Sequence, residues 1–123
     1  RPSIRKCYVS SRTNKTVVDF IEEEKKLHPE IEFIDCGNDY EKAVRKADII
    51  VTAISGQCDI LKAEWIKEGA FYIHVAGWED EYAVALKASK IVFDELENVK
   101  HRTQTISRMY KNGIIKDKNI HGD

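Results

Sequence analysis

The sequence predicts an α/β fold in which a parallel sheet is joined by crossover helices. Short β-rich runs alternate with helical stretches along the whole chain. One run, Ile49-Ile50-Val51-Thr52-Ala53-Ile54, is almost continuously apolar, the pattern of a parallel strand buried on both faces. Strands separated regularly by crossover helices imply parallel pairing.

The elements are expected in the following order. Lys6–Ser10 is a short strand rich in β-formers. Asn14 is a candidate N-cap for a helix reaching Lys26, with Val17, Phe20, Ile21 and Leu27 on one face and Pro29 closing it. Ile31–Ile34 is the second strand. Cys36-Gly37-Asn38-Asp39 makes a turn and a cap for a short helix, Tyr40–Lys46, with Ala43 and Val44 inward. After the Ile49–Ile54 strand comes a brief helical stretch, Lys62–Lys67, stopped by Gly69. A strand at Ala70–Val75, a helix at Asp80–Ala88 and a short strand at Lys90–Asp94 follow. The longest amphipathic pattern is a helix over Asn98–Lys111, with Val99, Thr103, Ile106 and Tyr110 on one face and Asn112-Gly113 at its end. Residues 114–123 carry weak signals.

Composition narrows the function classes. The 123 residues are 42% hydrophobic and 33% charged, with a formal net charge of −1, as in an ordinary single globular domain. No basic block marks a nucleic-acid face, so no nucleic-acid partner is expected. No apolar run approaches the roughly 18 residues of a membrane span, and the opening residues are not expected to be a signal peptide. Cys7, Cys36 and Cys58 form no C-x-x-C pair, and reduced thiols in a cytoplasmic protein are the expectation. The four histidines are scattered, and no metal site is expected.

In an open parallel sheet, ligands bind beyond the carboxyl ends of the strands. That rule selects four loops: Ser11-Arg12-Thr13, Ile54-Ser55-Gly56-Gln57, Ala76-Gly77-Trp78-Glu79 and Asp94-Glu95. Domains that bind NAD usually end the second strand with an acid that takes the adenosine ribose hydroxyls. Here Arg12 stands between two hydroxyls just before a helix, where it would pair with a 2′-phosphate. This favours NADP over NAD, against the plainer reading of Arg12 as a solvated helix-start residue.

Small residues at Ala53, Ser55 and Gly56 would let a flat ligand approach the backbone, or form only a strand-to-helix turn. Glu79 is the candidate proton donor or acceptor at a substrate amine, beside Gly77 and Trp78. The alternative makes it the first-turn acid of the next helix. Asp94 and Glu95 would line the pocket floor or merely start a helix. His74 is read as a core or near-core residue.

The fold class is therefore a Rossmann-like parallel sheet with crossover helices, lacking the first strand and the glycine-rich phosphate loop. Residues 1–113 are expected to be a partial NAD(P)-binding domain and 114–123 a tail leading to a further element. On that reading this piece alone is expected to be inactive.

Several stretches carry a family resemblance: Ser10-Ser11-Arg12-Thr13, Ala43 to Thr52 (AVRKADIIVT), Ile60 to Ala70 (ILKAEWIKEGA) and Ala88 to Asp94 (ASKIVFD). Together they resemble the second domain of the ornithine cyclodeaminase and mu-crystallin family, and look closest to the branch of diaminopropionate-pathway dehydrogenases. The resemblance implies a homodimeric parent that uses NADP or NAD on an amino or imino acid, as an oxidoreductase or a cyclodeaminase-like lyase. It implies that Ser11, Arg12 and Thr13 hold the 2′-phosphate. It likewise implies that Thr52, Ala53, Ile54, Val75, Ala76 and Gly77 contact the ribose and nicotinamide. Glu79 falls where the cyclodeaminase has its catalytic Asp. The family's following Pro is absent, however, and Ala85 stands in place of a Glu. These departures point towards a dehydrogenase or reductase rather than ornithine cyclisation. A non-catalytic binding protein of mu-crystallin type, holding a dinucleotide or another small ligand, is the alternative.

Overall fold

The computed structural model describes residues 3–55 and 57–122, with the backbone alone for residues 57–59. Gly56 of the second candidate loop thus lies outside the described residues, as do the Gln57 and Cys58 side chains. The chain divides into two compact units. One comprises the chain up to Asp48 together with Trp65–Ala70, and the other Ile49–Glu64 together with Phe71 onward.

The first unit is a strand–helix–strand–helix arrangement: β1 (Lys6–Val9), α1 (Asn14–Leu27), β2 (Glu32–Asp35) and α2 (Tyr40–Arg45). β1 and β2 pair in parallel, with Cys7 opposite Phe33 and Tyr8 opposite Ile34. Parallel neighbours need a crossover, and α1 supplies it. Val17 and Val44 bury the inner faces of the two helices, with Cys36 beside them in the core. Phe20 and Leu27, expected on the same inner face as Val17, are exposed. The apolar stripe is wider than the surface available to cover it. Asn14 is also not the cap: the extended residue before the helix is Thr13, and Asn14 is already helical. At α2 the expected cap holds, because the Asp39 carboxylate accepts the Lys42 amide at 3.0 Å. Gly37, with φ 57°, makes the turn before it, and any side chain there would be strained.

The second unit contains β3 (Ile49–Thr52), β4 (Gln57–Leu61), β5 (Phe71–His74), β6 (Trp78–Asp80), α3 (Tyr82–Lys87), α4 (Leu96–Lys100) and α5 (Thr105–Lys111). β3 pairs in parallel with β5, and β4 in parallel with β6 through an irregular register. The core gathers Ile50, Leu61, Val84, Val99, Met109 and Ile115. Among the described residues, the parallel pairing expected from the sequence is present, distributed over three two-stranded sheets.

Four expectations are corrected in this unit. The apolar β3 run is not buried on both faces: Ile50 and Thr52 are inside, whereas Ile49 and Val51 are 50% and 58% exposed. Phe71 and Ile73, on the same face of the neighbouring strand, are exposed as well. An apolar run sets strand character, but only the tertiary arrangement settles which faces are covered. Lys90–Asp94 is not a strand, since only Val92 forms a single bridge, to Gly122. The long helix is divided into α4 and α5 by residues 101–104, where the Gln104 side chain is drawn to the Ala76 carbonyl at 2.6 Å. Trp78-Glu79-Asp80 forms strand β6, not a loop, because it pairs with β4 and Glu81 continues the contact to the Leu61 carbonyl at 3.1 Å.

Candidate functional site

The carboxyl ends of β3 and β5 lie side by side. Thr52 is opposite His74, and the ladder runs one bond further through Val75 N–H to the Thr52 carbonyl at 3.0 Å. Just beyond these ends is a pocket of about 140 Å³ lined by Ile54, Ser55, Ala76, Gly77, Trp78, Thr103 and Arg108. It occupies the place where parallel α/β sheets bind ligands.

The Ala76-Gly77 turn is held from two sides. His74 Nε2 lies 2.6 Å from the Gly77 carbonyl oxygen, and Gln104 Nε2 donates to the Ala76 carbonyl. A Cβ at Gly77 would meet nothing within 4 Å, so the backbone faces open space there. Arg108, on α5, sets its guanidinium 3.9 Å over the Trp78 ring. Such a cation–π contact contributes about 0.5–2 kcal/mol.

Behind the turn is a buried polar cluster. Glu79 has no exposed surface, and Asp80 is almost as enclosed. His74 stands between them, Nε2 at 3.5 Å from Glu79 Oε2 and Nδ1 at 3.7 Å from Asp80 Oδ2. Neither Glu79 oxygen has a hydrogen-bond partner among the described residues. Tyr72 stacks on His74 and shares a 2.8 Å hydrogen bond with the Thr52 hydroxyl. Burial first, and then the Asp80 carboxylate, push the Tyr72 phenol well above its ordinary value.

Of the residues expected to contact ribose and nicotinamide, Ile54, Ala76 and Gly77 line the pocket. Thr52 is buried behind it with its hydroxyl engaged by Tyr72, and Ala53 and Val75 are exposed on the adjoining backbone. In the other unit, Ser11, Arg12 and Thr13 form the bend that enters α1. The Ser11 amide and the Ser10 hydroxyl both donate to the Gly37 carbonyl, at 2.9 and 2.8 Å, which ties this bend to the turn after β2. Arg12 is exposed, and none of the ion pairs among the described residues involves it. Thr13 shares a 2.7 Å hydroxyl bond with Thr16.

Glu79 lies outside the pocket lining, enclosed beside His74. Asp94 and Glu95 start α4, Asp94 accepting the Glu95 amide at 2.8 Å, and neither lines the pocket. Cys7 and Cys36 are free thiols, both pushed upward by burial. Thr103, Gln104 and Arg108 were not among the sequence candidates. Their only sequence signal is a polar, β-branched interruption, Arg102-Thr103-Gln104-Thr105, in an otherwise helical pattern.

Parallel strands and helices, with a pocket at the carboxyl ends of two paired strands, define a Rossmann-like α/β domain. The chain belongs to the ornithine cyclodeaminase/mu-crystallin family, whose family model matches residues 2–120. It is 22% identical over 120 residues to the N-((2S)-2-amino-2-carboxyethyl)-L-glutamate dehydrogenase of Staphylococcus aureus, covering 98% of this chain and 35% of that protein. It is 30% identical over 80 residues to the alanine dehydrogenase of Archaeoglobus fulgidus, covering 62% of this chain and 24% of that one. Among solved structures it is similar to the Δ1-pyrroline-2-carboxylate reductase of Thermococcus litoralis, in complex with NADH and L-proline. The TM-score is 0.85 at 27% identity, over 97% of this chain and 38% of the reductase. The chain thus spans about a third of the length of such relatives. The family resemblance read from the sequence is borne out. No helix among the described residues is long and apolar enough to cross a membrane.

Proposed function

We propose that this chain supplies the dinucleotide-binding part of an NAD(P)-dependent oxidoreductase acting on an amino or imino acid. The observation that carries this reading is the open pocket where the parallel strands β3 and β5 end together, in a family whose relatives here are two dehydrogenases and a reductase. The residues fit such a ligand: Gly77 faces empty space, and its carbonyl and that of Ala76 are already bonded, leaving a rigid wall for a flat ring.

In this reading Ile54, Ala76 and Gly77 seat the nicotinamide side, with Thr52, Ala53 and Val75 shaping the backbone behind them. Ser11, Arg12 and Thr13 hold the adenosine end. The exposed Arg12 guanidinium, beside hydroxyls at a helix start, favours a 2′-phosphate and therefore NADP. When bound, the nicotinamide supplies hydride exchange with the substrate α-carbon. Glu79 serves as the proton reservoir of the site. It lies enclosed 3.5 Å from His74, whose side chain is 15% exposed.

The test is the affinity of the intact protein for 2′-phospho-ADP-ribose against ADP-ribose, with and without Arg12→Ala. The expected result is tighter binding of the phosphorylated ligand by about tenfold, lost in the variant. Equal binding of both by the unaltered chain removes the NADP assignment, and binding of neither removes the dinucleotide reading.

A further inference from the structure

We propose that Ser10 and Asp35 are positioning residues that act through the Gly37 carbonyl and hold the Ser11-Arg12-Thr13 bend in the course that selects a 2′-phosphate. The proposal rests on reading that bend as the adenosine end of a dinucleotide site. Its own observations are the hydrogen bonds that join the bend to the turn after β2.

The relay starts at Asp35, the last residue of β2. One of its carboxylate oxygens accepts the Gly37 amide at 2.8 Å, closing an Asx-turn. Gly37 has φ 57°, a conformation that suits glycine, and the Asp39 amide donates to the Cys36 carbonyl at 2.9 Å to complete the turn. The Gly37 carbonyl oxygen then receives two donors from the end of β1. These are the Ser11 amide at 2.9 Å and the Ser10 hydroxyl at 2.8 Å.

These bonds divide the work within the bend. The Ser10 hydroxyl proton and the Ser11 amide are both taken up by Gly37, and Thr13 shares its hydroxyl with Thr16. The exposed group of the bend is the Arg12 guanidinium. Asp35 is an exposed acid at the neighbouring strand end, yet none of the ion pairs among the described residues joins it to Arg12. In an NAD site a strand-end acid accepts the ribose hydroxyls. Here the acid shapes a turn instead.

An arginine loses rotamer freedom when it clamps an anion. A backbone fixed beforehand leaves less to be ordered on binding. That advantage goes to the ligand that uses the guanidinium, and ADP-ribose, without a 2′-phosphate, gains little from it. One hydrogen bond of this kind is worth about two- to tenfold in an equilibrium. Loss of the relay therefore changes the ratio of the two affinities, whereas loss of general structural support weakens both alike.

The experiment measures binding of 2′-phospho-ADP-ribose and of ADP-ribose to the intact protein by calorimetry at constant ionic strength. Ser10→Ala is expected to lower the preference from about tenfold to about threefold, with ADP-ribose affinity within about twofold of the unaltered protein. Ser10→Thr keeps the hydroxyl and should keep the preference. Asp35→Ala and Asp35→Asn remove the same charge, but only Asn can still accept the Gly37 amide. The preference should fall in the first and hold in the second. Circular dichroism shows which variants are folded, and the Asp35 pair decides if Ser10→Ala does not fold. An undiminished preference in a folded Ser10→Ala or Asp35→Ala overturns the proposal, as does equal weakening of both ligands. The unaltered protein separates the two readings. Equal binding of both ligands by it removes the NADP assignment and this proposal with it, whereas a preference that survives in the variants removes the positioning role alone.

Discussion

His74 holds its Nε2 3.5 Å from a carboxylate oxygen of Glu79, a side chain with no exposed surface. Among the described residues, His74 is the basic side chain within 4 Å of both Glu79 and Asp80, and the Glu79 oxygens accept no hydrogen bond. His74 also bonds the Gly77 carbonyl, and stranding buried polar groups costs about 1–3 kcal/mol for each group left without a partner. His74→Ala is therefore expected to lower unfolding free energy by about 3 kcal/mol in urea titrations. Glu79→Gln, which keeps the shape of the side chain, should cost less than half of that. The double variant should recover part of the His74→Ala loss. A His74→Ala cost under about 1 kcal/mol would show that the carboxylates are compensated in another way.

Gly77 offers a cleaner separation of folding from binding. Its backbone is not in the left-handed region, and an added Cβ meets nothing within 4 Å. Gly77→Val should leave stability within about 0.5 kcal/mol, as at an open surface position. A branched side chain at this pocket-lining position should weaken binding of the nicotinamide dinucleotide about tenfold. Thermal melts and a binding titration on one preparation check both halves. Unchanged binding would mean that the ligand does not approach this turn.

Tyr72 gives the chain an alkaline limit. Its phenol is raised above the ordinary value of 10 by burial and then by Asp80, with the Thr52 hydroxyl acting the other way. The folded state therefore holds the proton more tightly than the unfolded state. The associated stability is fully present below about pH 10 and declines as pH climbs above it, where the unfolded chain ionises first. Ultraviolet titration should find Tyr72 silent until the chain unfolds, while exposed phenols respond earlier. Tyr72→Phe should flatten the loss of stability above pH 10, at a fixed cost of about 1 kcal/mol for the stranded Thr52 hydroxyl. An unchanged slope in that variant would place the alkaline sensitivity elsewhere.

Much of the fold was legible because its signals are local. The α1 and α2 spans, the Asp39 cap and the β1, β2, β3 and β5 strands follow from periodicity, turn residues and β-branched runs within a few positions. The rule that ligands bind at strand ends selected Ile54, Ala76 and Gly77, all of which line the pocket. β4 and β6 left almost no trace, because each is defined by the other and Leu61 and Asp80 are far apart in the chain. The α4–α5 break was hidden for a similar reason: Gln104 leaves the helical pattern to reach a carbonyl 28 residues earlier.

The amino-acid order by itself determined the alternation of strands and helices, their parallel pairing, the family and the strand ends at which to look. Only the tertiary structure decided that Ile49 and Val51 face outward, that Glu79 is enclosed beside His74, and that Arg108 lies over Trp78. The physical reason is range. Backbone hydrogen bonding and side-chain periodicity act over a few residues and can be read along the chain. Burial and charge pairing depend on which distant segments meet, and that is settled when the whole core packs.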